Sequence, residues 1–353
     1  HPAHVRAIQQ QAARLIHVSN IFQIPQQAEL GRDLVEVTGI PQGKVFFCNS
    51  GAEANEAAVK MARKAARTVG GRDAFEIIVA DHSFHGRTMG ALSATMVPKY
   101  HEGFEPLVPG FVSVPFNDAA AVERAITPRT AAVLIEPVQG EGGIHCADDA
   151  YLQALRRLCD EQGIWLILDE VQTGFGRTGR WFAYQYAGIT PDIVSLAKGM
   201  GGGVPIGAIV ARDEPASVFV PGSHGSTFAG SPLICAAARA AVAAIREEEL
   251  VERADEMGTY LMHRLRDLAK SHAAITEVRG RGLMVAIELS VPSEQVVAAS
   301  LERGLLVNNV QPHAVRFVPP LIVSRQDIDE AMSILDAALT AVRAEAGRAT
   351  AGR

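Results

Sequence analysis

Lys198 closes the apolar run Ile193-Val-Ser-Leu-Ala197, and glycines follow at once at 199, 201, 202 and 203. Such a run reads as a buried strand of a parallel sheet. A side chain leaving its carboxyl end lines the ligand crevice of an open α/β sheet. A lysine there is well placed to meet a ligand, and glycines around it let backbone approach closely. A lysine snorkelling from a surface loop has the same local sequence. Asp169 leaves the most apolar strand of the chain, Ile164-Trp-Leu-Ile-Leu168, in the same way. A carboxylate delivered from such a strand is costly to desolvate without a cationic partner, which marks it as a group with a task. From Asp169 to Lys198 is about one strand-crossover-strand step, so both can reach one crevice.

Other strand ends carry polar groups too. Lys44–Cys48 leads into Asn49-Ser-Gly-Ala-Glu53, where Ser50 is an N-cap and Glu53 completes a capping box for a helix running to Arg67. Its first N–H groups suit a phosphate, and equally suit an ordinary capped helix. Glu76–Ala80 empties into Asp81-His-Ser-Phe84-His-Gly-Arg87-Thr88. There Phe84 stacks on a flat ring or joins the core, and Arg87 forks onto a ligand carboxylate or pairs with a nearby aspartate. Ala131–Ile135 delivers Glu136-Pro-Val-Gln-Gly-Glu141-Gly-Gly143. The loop His224-Gly-Ser226-Thr227-Phe228 offers hydroxyls to a phosphate or a carboxylate. Arg316 stands mid-strand between Val315 and Phe317, where it needs a carboxylate from ligand or protein.

The elements that must position these groups alternate strand and helix, the pattern of an α/β fold with a mostly parallel sheet flanked by helices. Helical stretches flank a bend at Ser19-Asn20-Ile21-Phe22, and further helices are expected over Tyr151–Gln162 and from Pro232 to about Glu249. Gly207–Ala211 adds a strand, and Thr173–Arg180 reads as a cover or interface loop. Beyond residue 246 the composition changes. A long amphipathic helix carries Leu250, Ala254, Met257, Leu261, Leu265 and Leu268 on one face. Strands are expected at Leu283–Leu289, Leu305–Val307 and Val315–Val318, and helices at Gln295–Glu302 and Asp327–Val342, before a polar, frayed tail from Glu345. The expected organisation is a remnant of an N-terminal segment at 1–24, a large domain at 25–245 and a small α+β domain at 246–353. The opening His1-Pro2 falls in mid-pattern, which is why that first part reads as a remnant.

The 353 residues are 48% hydrophobic with a net charge of −6, enough for a large core. No block of like charge suggests a nucleic acid or membrane surface. No apolar run has membrane-spanning length and no signal peptide is evident, so a cytoplasmic location is expected. Cys48, Cys146, Cys159 and Cys235 are scattered without a metal-ligand spacing and read as buried reduced thiols; no metal is expected.

Taken together, Asn49–Asn55, Phe84–Thr88, Glu136–Glu141, Asp169–Gly174, Ala197–Gly199 and His224–Thr227 resemble, in order, the motifs of the class III, fold-type I, pyridoxal-phosphate-dependent aminotransferases. The resemblance spans essentially the whole chain. It implies that Lys198 links to pyridoxal 5'-phosphate and later moves a proton, and that Asp169 pairs with the ring nitrogen. It implies further cofactor contacts from Ser50, Gly51, Ala52, Phe84, Glu170, Val171 and Gln172, and from Thr227 reaching across a homodimer. The Phe84–Arg87 loop and the Leu15–Asn20 stretch are most similar to members acting on N2-acetylornithine, with 2-oxoglutarate and glutamate as the other pair. On that resemblance Arg87, helped by Ser226, holds the acylated donor's carboxylate. Arg316 takes the α-carboxylate of glutamate, and Glu141 masks Arg316 when the donor has no carboxylate there. N-succinyldiaminopimelate is a further candidate donor, and ornithine and 4-aminobutyrate are alternatives. A nucleotide-binding oxidoreductase is a reading from another class. Against it, the glycines follow Lys198 rather than precede it, and no G-x-G-x-x-G opens a helix near the N-terminus.

Overall fold

The computed structural model describes residues 1–351, with side chains through Ala344. Where the sequence reading expects a frayed tail from Glu345, the backbone continues the helix Arg325–Ala351; residues 352 and 353 lie outside the described residues. Strands form where short apolar runs are bounded by turn residues. In chain order they are β1 Lys44–Cys48, β2 Glu76–Ala80, β3 Phe111–Val114, β4 Thr130–Ile135, β5 Val138–Gln139, β6 His145–Cys146, β7 Trp165–Asp169, β8 Ile193–Leu196, β9 Gly207–Ala211, β10 Ile275–Arg281, β11 Met284–Leu289, β12 Asn308–Gln311 and β13 Ala314–Phe317.

Two compact units divide the chain. The first holds residues 1–137, 147–175 and 180–248. Its seven-stranded sheet has the order β1-β9-β8-β7-β4-β2-β3. Pairing is parallel from β8 through β3, while β9 runs antiparallel to both β1 and β8. β2, β4 and β9 are buried at every position, as strands covered on both faces must be. The alanine-rich face of the helix Gly51–Thr68 packs on the sheet, with Ala54, Ala57, Ala58, Ala62 and Ala65 fully buried in one core cluster. Small side chains let this helix lie close to the strands, so its first turn sits near their ends. The N-terminal helix Pro2–Ala12 is held by His4, whose Nδ1 lies 3.0 Å from the Ala237 carbonyl of the helix Pro232–Glu247.

The second unit holds residues 138–146, 176–179 and 249–353. Its four-stranded antiparallel sheet has the order β10-β11-β13-β12. One face is covered by the helices Leu250–Ser271 and Arg325–Ala351, through Leu261, Leu265, Leu335 and Leu339 packed on Val285, Ile287 and Val315. Two segments that the sequence reading groups with the large domain belong here. The β5–β6 hairpin places Val138 and Ile144 on Met284 and Ala286, which gives it a reason to leave the first unit. β12 forms at Asn308–Gln311 instead of Leu305–Val307, because Leu305 and Val307 pack into the core ahead of the strand.

Cys48, Cys159 and Cys235 are buried and Cys146 is half-buried, with no disulfide among them. Among the described residues no helix is long and apolar enough to cross a membrane, and no cluster of acidic, histidine or cysteine side chains is arranged to hold a metal.

Candidate active site

β7 and β8 lie side by side and parallel, with Asp169 in register with Ser195. Lys198 follows three residues on, so the two chemically active groups leave neighbouring strands at the same end of the sheet, as their sequence positions require. The connection between these strands contains a 3-10 turn at Ala183–Ala187 where a crossover helix would be the usual choice. Lys198 opens another 3-10 turn, Lys198–Gly201, in a left-handed conformation with φ +44°. A non-glycine residue rarely holds that region, and such strain gathers where a side chain must be aimed.

Asp169 is 5% exposed, and three groups of the chain hold it. Asn55 Nδ2 donates to Oδ2 at 2.7 Å, His85 Nδ1 lies 2.8 Å from the same oxygen, and the Val171 N–H donates to Oδ1 at 3.0 Å. A carboxylate only accepts, so His85 carries its proton on Nδ1. Behind these, Ser195 Oγ donates to Asn55 Oδ1 at 2.6 Å, and Asn55 Nδ2 also donates to the His85 carbonyl at 2.8 Å. Asn55, His85, Asp169 and Ser195 are all buried. His85 Nε2 is buried and has no hydrogen-bond partner among the described residues. The sequence places His85 and Asn55 inside two motifs but does not single them out. Both act through contacts far along the chain, which local spacing does not display.

Ser50 caps the helix Gly51–Thr68 by accepting from the Glu53 N–H at 3.2 Å. Glu53 reaches back to the Asn49 N–H at 2.7 Å, one residue further than a capping box requires. The first turn is therefore fixed while Gly51 and Ala52 stay half-buried. This turn touches the other candidate segments closely. A Cβ on Gly51 would lie 2.7 Å from Val171 Cγ1. A Cβ on Gly86 would lie 2.6 Å from Ala52 Cβ, and Gly86 has φ +135°, so both space and backbone demand glycine there. Asn49 Nδ2 donates to Ser226 Oγ at 3.0 Å, bringing the 224–228 loop to the same place. Thr227 lies next in that loop, exposed.

Phe84 is half-buried, and its N–H donates to the buried Glu136 carboxylate at 3.0 Å. Arg87 is exposed, with its guanidinium 3.6 Å from the centroid of Tyr100 and 5.5 Å from that of Phe84. Val171 and Gln172 are half-buried beyond Asp169. Glu170, grouped with the cofactor contacts by the resemblance, points into the core. It is fully buried, with its carboxyl bonded by the Thr173 hydroxyl and the Tyr184 N–H at 2.9 Å. Burial pushes its pKa up to about 7 against the pull of those hydrogen bonds.

In the second unit Arg316 Nη1 donates to Glu141 Oε1 at 2.8 Å. The backbone carbonyl of Glu141 accepts from Gln311 Nε2 at 2.9 Å, which fixes the Glu141 loop beside β12. Arg316 thus has the carboxylate that its mid-strand position calls for.

These residues suit a flat, phosphate-bearing heterocycle with a basic ring nitrogen. A buried carboxylate that takes three donors still has acceptor capacity for a ring N–H, a capped helix start can meet a phosphate, and an amine lies at the next strand end.

The family model described as "Aminotransferase class-III" matches residues 1–339. Acetylornithine aminotransferase of Caldanaerobacter subterraneus subsp. tengcongensis is 50% identical over 344 residues, 97% of this chain and 87% of that protein. The ornithine aminotransferase structure from Toxoplasma gondii superposes with a TM-score of 0.94 at 35% identity, covering 98% of this chain and 83% of that one. Acetylornithine aminotransferase from Elizabethkingia anophelis superposes at 0.85 with 34% identity, covering 96% and 85%.

Proposed function

Because the chain belongs to the class-III aminotransferase family, we propose that it moves the terminal amino group of N2-acetylornithine to 2-oxoglutarate, using pyridoxal 5'-phosphate. The products are N-acetylglutamate 5-semialdehyde and glutamate, a step of arginine biosynthesis. N-succinyldiaminopimelate is a second donor on the same reading. The observation that carries the reading is the placement of Lys198 and a triply held Asp169 at adjacent strand ends, in a chain 50% identical to an acetylornithine aminotransferase.

When bound, the cofactor supplies an electron sink that makes a carbon-bound proton of the amine acidic. The rest is done by the chain. Ser50, Gly51 and Ala52 hold the phosphate, and Thr227 of a second subunit adds a hydroxyl to it. Phe84 and Val171 bracket the ring, Gln172 bonds its phenolic oxygen, and Asp169 keeps a proton on its nitrogen. Glu170 acts from behind, fixing the backbone between Asp169 and Val171. Lys198 Nζ anchors the cofactor, then takes the proton from the donor's δ-carbon. In the second half-reaction it returns a proton to the α-carbon of glutamate. Arg87, with Ser226, holds the carboxylate of acetylornithine. Arg316 exchanges Glu141 for the α-carboxylate of glutamate.

The active unit is a homodimer in the cytoplasm. Supporting this, Ile21, Phe22 and Phe228 are 88%, 63% and 65% exposed. Their segments are joined by Asn20 Nδ2, which donates to the Ser226 and Ala229 carbonyls. An apolar surface of this kind beside Thr227 suits a second subunit. Discharge of the cofactor's visible band by acetylornithine alone tests the reading.

A further inference from the structure

We infer that Tyr100 is a specificity-determining positioning residue, an aromatic shelf that turns the Arg87 guanidinium edge-on to the donor's carboxylate. The inference rests on the assignment of Arg87 to that carboxylate.

A separation of 3.6 Å between the guanidinium carbon and the Tyr100 centroid is a stacking distance. Phe84 stands at 85° to Tyr100, with centroids 6.1 Å apart, and forms the second wall. Among the described residues no hydrogen bond or ion pair engages Arg87, and the rings its guanidinium lies over are these two. Stacking occupies a face of the guanidinium and leaves the N–H donors along its edge, the geometry that grips a carboxylate with two parallel hydrogen bonds. A long exposed arginine would otherwise lose rotamer freedom on binding, and the shelf removes part of that cost beforehand.

The shelf is itself fastened. Tyr100 ends the 3-10 turn Pro98–Tyr100, and its N–H donates to the Val97 carbonyl at 2.9 Å. Next to it, His101 Nε2 lies 2.6 Å from the Thr95 carbonyl and 3.1 Å from that of Leu92. The Met96 N–H donates to the Ser83 carbonyl at 3.0 Å, tying this segment back to the loop that carries Phe84 and Arg87. No hydrogen bond is formed by the Tyr100 hydroxyl among the described residues, so the ring face is the part that acts.

The test uses the cofactor-loaded enzyme with Tyr100→Phe, Tyr100→Leu and Arg87→Ala. It measures KM and kcat for acetylornithine and, separately, for glutamate. The Kd of N-acetylnorvaline, which keeps the donor's carboxylate and lacks its reacting amine, is read by calorimetry. Tyr100→Phe is expected to behave as wild type. Tyr100→Leu is expected to raise the donor's KM and the Kd about three- to thirty-fold, with kcat and the glutamate KM unchanged. Should the leucine variant not fold, phenylalanines of rising fluorine content at position 100 keep the ring and drain charge from its face. The Kd should then climb with each fluorine. If Arg87→Ala weakens the donor while Tyr100→Leu and the fluorinated series do not, the shelf is refuted and the Arg87 assignment stands. If Arg87→Ala leaves the donor's KM unchanged, the site assignment itself fails. Equal losses for donor and glutamate in Tyr100→Leu would mean general distortion and would also overturn the inference.

Discussion

His85 Nδ1 lies 2.8 Å from Asp169 Oδ2, although 84 residues separate the two in the chain. With Asn55 on the same oxygen, the carboxylate is clamped before any ligand arrives. Such preorganisation is how an active site avoids reorganising a charge during reaction. Asn55→Ala removes one of the three donors and should weaken cofactor binding about tenfold or more, since a hydrogen bond to a charged group is worth about 1.5–3 kcal/mol. Fluorescence titration of the cofactor-free protein measures this. His85→Asn, which retains a donor, should lose less than His85→Phe. Wild-type affinity in both Asn55→Ala and His85→Phe would contradict the clamp.

Glu170 gives a pH dependence of stability. Its pKa is raised from 4.5 to about 7, mainly by burial, so the folded state keeps a proton that the unfolded chain releases. The contribution is fully present below pH 4.5 and is lost as pH rises through about 7. The loss amounts to about 3 kcal/mol. Glu170→Gln retains an acceptor for the Tyr184 N–H, presents an amide in place of the oxygen to which the Thr173 hydroxyl donates, and does not ionise. Urea unfolding of the cofactor-free proteins from pH 5 to 8 should show the variant gaining on wild type as pH rises. A constant difference would refute this role.

Arg316 and Glu141 predict a split between substrates. Arg316→Ala should raise the KM for glutamate at least about thirty-fold, the cost of losing a close charge partner, and leave that for acetylornithine near wild type. Glu141→Gln should lower the glutamate KM, because Arg316 no longer has to give up a charged partner. Steady-state kinetics of both half-reactions measure the difference. Identical shifts for both substrates would exclude the exchange.

The residues legible in the sequence are those whose role is announced locally. Ser50 and Glu53 stand at capping distance, and Asp169 and Lys198 end apolar runs too short and too β-branched to be helical. The reversed direction of β9 is not legible, because its alternation and burial are those of any covered strand. β10, Ile275–Arg281, is missed because charged and half-exposed residues interrupt its apolar pattern. His85, Asn55 and Tyr100 are ordinary residues until the fold brings them to Asp169 and Arg87. Glu170 looks like a site residue from its place beside Asp169, yet successive residues at a strand end face opposite ways, and its side chain turns to the core.

The most direct measurement is the visible absorption spectrum of the protein loaded with pyridoxal 5'-phosphate, taken before and after adding N2-acetylornithine without an oxo acid. The account predicts a band from the lysine-linked cofactor that acetylornithine abolishes and 2-oxoglutarate restores. Lys198→Ala should bind the cofactor without that band and without turnover. A band that persists with acetylornithine but is discharged by ornithine or 4-aminobutyrate would contradict the proposed donor, and a Lys198→Ala variant with undiminished turnover would contradict the mechanism.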